Sequence, residues 1–588
     1  MTLNGDLDPR LAAAAGSDAQ VMAQVGTSKP TTVARHRVRA ISIDGLRRPA
    51  VVLDFVVLLV LSVYIVWARS HAFTAPLDPD EANYAYIASR LAAGDRLYVD
   101  IWDHQPPLVF ALYGAVQYFV GTSEAAYRGV ATAFSLGTLF LIFGLMRAHH
   151  SRAAAISAAL MWALVNADPG TEGDGANREI YMNTCAVAGA WLMLHHARKT
   201  SWPALGLAGL AIGIASAFKP VLAILWALFV PWLVWHTWRR TRKRRRRRAL
   251  LRAILIFGAG PVLVWLAQFV YFLATGRAGA FVEAVFGFNL GYVQPAASAG
   301  SNRLFGFFTA RLWTFKASGA FWWSGLAGLI VGRWRSAPNA LVRLLCAAAF
   351  IEVVFSGFFW RHYYHLMLPP LAMAIGMLVA RTLEIRWRRG CSRSAGLAVR
   401  LAAVLGLGVL SGWTLAGHAR WYFAFNGEQL SFLRYGVWNI WSRQLGLMVA
   451  DLTRESDYIY QYGELTGVYQ YSRRRTPSKY TMVRASLVVA SSGREQRRAE
   501  LIADLHEQPV RLIVVTQPPF EALDTILQYK YHLIADARVG ERVALRVYAS
   551  NQDPLARAPL PEAWMISPSD FEELRAASEI AEQNGLWK

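Results

Sequence analysis

The chain has 588 residues, a hydrophobic fraction of 55%, a mean hydropathy of +0.27 and a formal net charge of +22. This apolar composition, with repeated uncharged runs of membrane-spanning length, excludes an ordinary soluble globular protein. The basic residues are concentrated in short loops between apolar runs, notably RRTRKRRRRR at 239–248. Such a distribution indicates membrane orientation and argues against a nucleic-acid partner. The three cysteines offer neither a disulfide framework nor zinc-ligand spacing.

A polar tail at 1–48 precedes the first apolar run, which lacks an adjacent small-residue cleavage site and therefore predicts an uncleaved anchor. A further apolar run at 106–121 carries aromatic and polar groups throughout, and could span the membrane or lie in its interface. The clear candidate spans lie at about 50–68, 128–147, 152–167, 180–197, 202–218, 221–238, 250–275, 312–332, 338–358, 364–380 and 397–417.

The positive-inside rule decides between the two placements of 106–121. If this run lies in the interface, the basic clusters between spans lie on the same side of the membrane as the basic N-terminal tail. If it spans, the strongest cluster, 239–248, moves to the opposite side. We therefore predict about 11 transmembrane helices in a module over 49–417, with a cytoplasmic N-terminus and interfacial helices in the first external loop. The first and second external loops are predicted at 69–127 and 168–179.

After residue 417 the pattern changes from long apolar runs to alternating ones. Strands are predicted at 457–462, 510–516 and 542–550, with an amphipathic helix at 495–507. This predicts a small external α/β domain over 418–550, followed by a polar tail at 551–588 that contains a helix near 568–583. The domain has no glycine-rich phosphate loop, so no nucleotide is expected.

Three carboxylates open the first external loop in LDPDEANYAYIASRL (77–91). One interpretation is structural: Asp78 is the N-cap, Glu81 closes a capping box, and Asp80 only favours the helix dipole. The other is functional, because further acids follow in YVDIWDHQPPL (98–108) and in DPGTEGDGANREIYMN (168–183). Capping one helix does not require acids from a second loop, whereas several carboxylates converging at the outer membrane face suit general-base chemistry or a cation site.

Cationic groups occur on the same predicted side. FFWRHYYHLMLPPLA (358–372) places Arg361, His362 and His365 at the external start of a span, and Lys219 lies at a kink between two spans. An arginine there can bind a lipid phosphate or simply extend toward the interface, and Lys219 can belong to an ordinary proline-broken loop. The two histidines, with His104, allow a divalent cation, although structural roles are more common for such residues.

These segments resemble glycosyltransferase family 39 and its relatives, the protein O-mannosyltransferases and the lipid A aminoarabinose transferases of the GT-C superfamily. YVDIWDHQPPL is similar to the pattern Tyr-x-Asp-x-Trp-Asp-His-Lys-Pro-Pro-Leu of the first external loop. RHYYHLMLPPLAM and YQYGELTGVYQYSRRRTPSKY (460–480) are similar to later family segments. The resemblance covers roughly 50–480 and implies a GT-C fold.

The resemblance also implies a polyprenyl-phosphate-sugar donor and a hydroxyl acceptor on the external face. It makes Asp80 the general base, with Glu81 and Glu179 orienting donor or acceptor. The family's lysine before Pro-Pro is Gln105 here, which moves the expected phosphate contact toward other cations. The donor-phosphate set is then Arg361, His362, Lys219 and Gln105, and the remaining substrate contacts are Asp103, His104, Tyr84 and His365.

The expected activity is an inverting glycosyl transfer at the plasma membrane, with the active site and C-terminal domain external. The acceptor could be a protein, a lipid or a cell-wall glycan. The leaving group is a monophosphate ester, so no cofactor is required, although a divalent cation stays open. Alternatives are a flippase for a lipid-linked sugar, a binding or scaffold protein, and a GT-C transfer of arabinofuranose or a whole oligosaccharide. The absence of internal repeats argues against the flippase.

Overall fold

The computed structural model describes residues 49–291, 303–309, 312–334, 336–384, 393–488, 493–539, 542–552 and 568–583. The chain divides into two compact units, residues 1–56 and 57–588, and the fold and sites below belong to the second. The α-helices of the described part are Pro49–Ser70, Pro79–Ala92, Leu108–Phe119, Glu124–His149, Arg152–Val165, Arg178–Lys199, Trp202–Phe218, Ile224–Arg240, Arg246–Ala274, Ala278–Val282, Arg303–Thr309, Leu312–Val331, Ala337–Ser356, Leu368–Glu384, Arg393–Tyr422, Gly427–Tyr435, Trp438–Leu452, Gly467–Ser472, Arg494–Glu507, Glu521–Lys530 and Pro568–Gln583.

Within the described ranges, seven helices are long and apolar enough to cross a membrane: Pro49–Ser70, Glu124–His149, Pro220–Arg240, Lys243–Ala274, Ala337–Phe355, Arg361–Leu383 and Gly396–Tyr422. Shorter apolar helices accompany them, among them Arg152–Val165 and Trp202–Phe218. The protein is therefore a multi-pass α-helical membrane protein, as predicted. The number of about 11 spans and their orientation stay predictions.

The ambiguous run at 106–121 forms the helix Leu108–Phe119, which has 12 residues. At 1.5 Å per residue it is ~18 Å long, short of a hydrocarbon core of ~30 Å. This length fits the interfacial placement on which the predicted orientation depends.

Close helix packing in the apolar region depends on glycine. A Cβ on Gly209 would lie 2.0 Å from the Phe257 carbonyl oxygen, and one on Gly260 would lie 2.2 Å from the Gly209 carbonyl carbon. The helices Trp202–Phe218 and Arg246–Ala274 thus approach with their backbones nearly in contact, as small residues allow between membrane helices.

The C-terminal region contains a four-stranded sheet in the order β1-β2-β4-β3. Its strands are β1 (Tyr458–Tyr462), β2 (Val510–Val515), β3 (Tyr531–Val539) and β4 (Arg542–Ser550). β1 and β2 are parallel and are connected through the helix Arg494–Glu507, whereas the β2–β4 and β3–β4 pairs are antiparallel. The sheet region is confirmed, but β3 was not predicted. It follows the helix Glu521–Lys530 at the next residue, without the turn signals that usually mark a strand.

The tail contributes the helix Pro568–Gln583, at the predicted position. Its buried Ala577 and Ala581 pack in a small apolar cluster with Trp421 and Phe425. The domain boundaries proposed from the sequence stay predictions.

Candidate active site

The first external loop continues into the helix Pro79–Ala92, which we call the acidic helix. Both halves of the predicted capping box are present: Asp78 Oδ1 accepts from the Glu81 N–H at 2.8 Å, and Glu81 Oε2 accepts from the Asp78 N–H at 3.2 Å. Asp78 Oδ2 also accepts from Asn177 Nδ2 at 3.0 Å. The structural interpretation therefore holds for Asp78 and Glu81, but Asp80 lies outside this network.

Glu81 is fully buried and is occupied by protein groups. Arg128 Nη2 lies 2.6 Å from its Oε2, and the Ala176 N–H donates to its Oε1 at 2.5 Å. Arg128 also donates to backbone carbonyls, among them that of Pro76 at 3.0 Å. These contacts tie the acidic helix to the second external loop and leave Glu81 no free oxygen for donor or acceptor.

Buried polar groups hold the second external loop in place through hydrogen bonds. Arg69 Nη2 donates to the Gly175 carbonyl at 2.6 Å, and Arg434 binds Asp174 through two hydrogen bonds of 2.7 and 2.6 Å. His365 contacts the Asn166 carbonyl through Nε2 at 2.9 Å. Its Nδ1 lies 3.0 Å from the Asn183 amide. His365 is thus buried behind the loop and does not reach the cavity described next.

A cavity of about 350 Å³, the central cavity, opens where the two external loops meet the start of the Arg361–Met367 segment. Five residues proposed from the sequence line it: Asp80, His104, Gln105, Arg361 and His362. The complete lining is Asp78, Pro79, Asp80, His104, Gln105, Glu172, Asn177, Arg178, Trp360, Arg361, His362, Tyr363, Arg434, Tyr435, Glu464, Met482, Arg484 and Ala485. The other proposed residues, Glu81, Glu179, Lys219, Asp103, Tyr84 and His365, do not line it.

His362 lies between two carboxylates of the central cavity. Its Nδ1 is 3.2 Å from Glu172 Oε2 and its Nε2 is 3.9 Å from Asp80 Oδ2. Arg361 Nε lies 3.8 Å from the other Glu172 oxygen. Burial alone would raise the pKa of Glu172, but the His362 hydrogen bond and the nearby positive charges outweigh it and lower that pKa. Glu172 therefore stays a carboxylate that holds both cationic groups at the wall.

Asp80 differs from Asp78 and Glu81 in its exposure and in its hydrogen bonding. Its side chain is 29% exposed, and no residue in the described ranges donates a hydrogen bond to its carboxylate. The acidic helix thus presents to the central cavity one carboxylate that has the His362 ring beside it and no hydrogen-bond donor among the described residues. A free carboxylate at this place can accept a proton from a bound hydroxyl.

Arg178 reaches the cavity wall through contacts that the sequence did not reveal. Its Nη1 donates to Gln105 Oε1, and its guanidinium lies 5.8 Å from the centroid of the Tyr84 ring. Gln105 stands where the related pattern has lysine, and its side chain here accepts a hydrogen bond from a buried arginine. Tyr84 supports this arginine from behind.

Asp103 and His104 are held rigidly beside this arginine. Asp103 accepts from Asn83 Nδ2 at 2.6 Å and from the Gln105 N–H at 2.9 Å. Burial raises the pKa of Asp103 to about 7 and lowers the pKa of His104 to about 3, so His104 is neutral near pH 7. Of the two, only His104 faces the cavity.

Glu179 and Lys219 form a separate buried cluster with Glu352. Lys219 Nζ lies 3.5 Å from Glu179 Oε1, contacts Glu352 Oε1, and sits 3.2 Å from the centroid of the Tyr363 ring. The lysine charge is therefore compensated by protein carboxylates. Glu352 was missed, although a carboxylate inside the apolar run 338–358 is a recognised functional signal.

Two further lining residues come from the C-terminal region. Glu464 follows β1, and Arg484 stacks 5.4 Å from the centroid of the Trp360 ring. Burial, opposed by Arg484 and helped by Asp80, raises the pKa of Glu464 to about 7. No local pattern marks either residue, because their role depends on how the sheet region packs over the membrane part.

Within the described residues, no group of three or more His, Cys, Asp and Glu side chains is arranged to hold a metal ion. The expectation that no cofactor is required, with a divalent cation left open, therefore stays a prediction. Two of the histidines that the sequence offered as cation ligands hydrogen-bond to protein groups instead. His362 contacts Glu172, and His365 contacts Asn166.

Comparisons with known proteins give a family-model match over part of the chain and a similar fold. Residues 104–265 match the family model described as dolichyl-phosphate-mannose-protein mannosyltransferase. ArnT from Cupriavidus metallidurans bound to undecaprenyl phosphate superposes with a TM-score of 0.54 and 16% identity, over 86% of this chain and 99% of that chain. This is the GT-C glycosyltransferase fold. The resemblance stated from the loop motifs is thereby confirmed.

Two further solved structures also match. The apo state of the same ArnT has a TM-score of 0.51 and 16% identity over 85% of this chain and 98% of that chain. The oligosaccharyltransferase of Archaeoglobus fulgidus has a TM-score of 0.48 and 14% identity over 78% of this chain and 69% of that chain. No curated protein matches the sequence. The family match begins at His104, so it does not include the acidic helix.

Proposed function

We propose that the protein transfers a sugar from a polyprenyl-phosphate-sugar donor to a hydroxyl acceptor on the external face of the plasma membrane, with inversion at the anomeric carbon. The observation that carries this proposal is the central cavity, where the free carboxylate of Asp80 lies within 3.9 Å of His362 and beside two arginines. A base next to a cationic wall suits an acceptor hydroxyl on one side and a departing phosphate on the other.

Asp80 is the proposed general base. The acceptor oxygen attacks the anomeric carbon while the bond from that carbon to the phosphate oxygen breaks, and the polyprenyl phosphate leaves with the electron pair. A carboxylate with an ordinary pKa of ~4 is too weak to deprotonate a free alcohol beforehand. It accepts the proton late, as the new C–O bond forms, a contribution typically worth ~10²–10⁴-fold in rate.

The proposed phosphate contacts are Arg178, Arg361 and His362. Each lines the central cavity, and an arginine fork matches a phosphate better than a single ammonium does. Undecaprenyl phosphate is the ligand of the ArnT structure with the similar fold, and a lipid of this class is the leaving group that our proposal requires. Gln105 acts through Arg178, whose guanidinium it holds.

Glu81, Glu179, Lys219, Asp103, Tyr84 and His365 receive positioning roles in this proposal. Their charged groups or rings contact other protein groups, as described above. Glu172 joins them, since it holds Arg361 and His362 at the cavity wall.

The test uses the purified full chain reconstituted in lipid vesicles. Labelled polyprenyl-phosphate-mannose is the first donor, other lipid-linked sugars follow, and an extract from the external compartment supplies acceptors. We expect new glycosidic bonds with the wild type and a loss of about 10²-fold in kcat with Arg361→Gln. Arg361→Lys should recover part of the rate, because it restores the charge without the fork.

The same vesicles separate this function from the flippase alternative. A transferase forms labelled product, whereas a flippase moves intact donor between leaflets without forming a glycosidic bond. Lipid movement without product, from every donor tested, would refute the proposal.

A further inference from the structure

A second cavity of about 350 Å³ lies between the acidic helix and the helix Gly467–Ser472 of the C-terminal region, and we call it the rear cavity. It shares no lining residue with the central cavity. Its lining consists of Tyr86, Ser89, Arg90, Ala92, Gln117, Thr122, Tyr469, Gln470 and Arg473. Neither the proposed reaction nor the family resemblance uses this space.

The rear cavity lies at the level where a membrane span begins. Thr122, one of its lining residues, precedes the apolar helix Glu124–His149 by two positions. Just before Thr122, Tyr118 and Phe119 are 83% and 80% exposed at the end of their short helix. Aromatic side chains at a span boundary are typical of the membrane–water interface. The cavity therefore opens at the depth of lipid headgroups.

The cavity also carries an excess of positive charge. Arg90 Nε lies 2.8 Å from Asp95 Oδ2, and Arg475 Nη2 lies 3.6 Å from the other oxygen of the same carboxylate. Arg473 is exposed and donates to Thr122 Oγ1 at 3.5 Å, and no carboxylate in the described ranges lies within ion-pair distance of it. Two guanidinium groups thus share the Asp95 carboxylate, and the third, that of Arg473, adds a positive charge with no such partner among the described residues.

The nearest additional acid does not change this balance. Glu124 accepts from the Tyr471 hydroxyl at 2.9 Å and lies 3.9 Å from Arg443 Nη1, so its charge is already used. Gln117 also lines the cavity, but its amide N–H groups already donate to the Ala85 carbonyl at 2.7 Å and to the Tyr127 hydroxyl at 3.0 Å. The unmatched group at the mouth of the cavity is Arg473.

We propose that the rear cavity binds the headgroup of an anionic phospholipid from the surrounding leaflet, with the phosphate at Arg473 and the acyl chains along Tyr118 and Phe119. The complementary charge argues for an anionic headgroup, and the exposed aromatic residues beside it argue for a lipid over a soluble anion. This site is independent of the proposed transferase function.

A lipid bound in the rear cavity stabilises the interface between the membrane part and the sheet region. Tyr86 of the acidic helix donates to the Arg474 carbonyl at 3.1 Å, accepts from the Thr476 N–H at 3.1 Å, and stacks on Tyr469 with ring centroids 5.0 Å apart. Arg473 and Thr122 come from opposite sides of this interface. A headgroup held by both adds a further link between the membrane part and the sheet region.

The test measures thermal unfolding of the purified full chain in a neutral detergent. Short-chain phosphatidylglycerol is titrated against short-chain phosphatidylcholine at the same mole fraction, and against inorganic phosphate. We expect a saturable rise in Tm with phosphatidylglycerol alone. Arg473→Gln should weaken the apparent affinity for this lipid about tenfold, as expected for the loss of a charged hydrogen bond.

Arg454→Gln is the matched control, because Arg454 is an exposed arginine of the same region outside the rear cavity. It should leave the lipid response unchanged, and Arg473→Lys should retain most of it. Both Arg473 variants should fold as the wild type does, since the side chain is exposed. An equal response to phosphatidylcholine, an equal response to inorganic phosphate, or an unchanged affinity in Arg473→Gln would each overturn the proposal.

Discussion

Replacing Glu81 by glutamine separates its structural role from a direct role in chemistry. The Glu81 and Arg128 side chains are almost completely buried and form an ion pair of 2.6 Å. Removing one partner of a buried pair costs ~3–5 kcal/mol, because the remaining charge stays buried. Arg128 keeps its hydrogen bonds to the carbonyls of Ala75 and Pro76, so the low end applies. We expect Glu81→Gln to lower the free energy of unfolding by about 3 kcal/mol.

The assay is equilibrium unfolding in a denaturing detergent, followed through the reactivity of the thiol of Cys346, which is buried in the folded protein. The matched control is Glu428→Gln. Glu428 also pairs with an arginine, Arg443, but its side chain is 46% exposed, so its loss should cost at most ~1 kcal/mol.

A Glu81→Gln variant as stable as its control would refute this reasoning. If such a variant were also inactive, Glu81 would have to contact the substrate in a conformation other than the one described here. The expected result is a destabilised protein whose folded fraction still transfers sugar.

Four further substitutions test the surroundings of the central cavity by the same unfolding measurement. Asp78→Ala should cost ~0.5–2 kcal/mol through the lost cap and leave transfer measurable; complete inactivity of the folded protein would contradict this. Lys219→Met should lower the free energy of unfolding by ~3–5 kcal/mol. The double variant with Glu352→Gln should lose less than the sum of the two single losses, because the second change removes a carboxylate left without its partner; additive losses would show that the two residues are not coupled. Burial raises the folded-state pKa of Asp103 to about 7, so the folded protein favours the protonated carboxyl. The stability that Asp103 contributes is therefore complete below ~pH 4, and it is lost as the pH rises to about 7. Wild type should therefore lose stability relative to Asp103→Asn over this window, and a pH-independent difference would contradict the assignment.

Local signals in the sequence were sufficient for the start of the acidic helix. A capping box depends on residues three apart, so the pattern from Asp78 to Glu81 predicts it without tertiary information. The structure distinguishes the acids, since Asp78 and Glu81 form the capping box whereas Asp80 lies outside it and lines the central cavity. The sequence pattern alone did not separate them, because the exposure of Asp80 depends on the packing of the second external loop.

The wall of the central cavity depended on contacts between distant segments. The family resemblance assigned Asp80, Arg361 and His362 to one site, and all three line the central cavity, which no periodicity in the chain indicates. Arg178 and Glu464 were not proposed, because the first reaches the cavity through Gln105 and the second through the docking of the sheet region. Lys219 was assigned to phosphate by its charge alone, and its pairing with Glu179 and Glu352 could not be inferred from their separation in sequence.

The central claim is that Asp80 is the base of a glycosyl transfer. The measurement that tests it most directly is the rate of sugar transfer by purified Asp80→Asn in lipid, beside Asp78→Asn and the control Asp100→Asn. Asp100 is an exposed carboxylate of the same loop, paired with Arg96 and absent from the cavity lining. We predict a loss of at least ~10²-fold for Asp80→Asn, with unchanged stability, and measurable transfer by the other two variants. Transfer by Asp80→Asn at the wild-type rate would contradict the account.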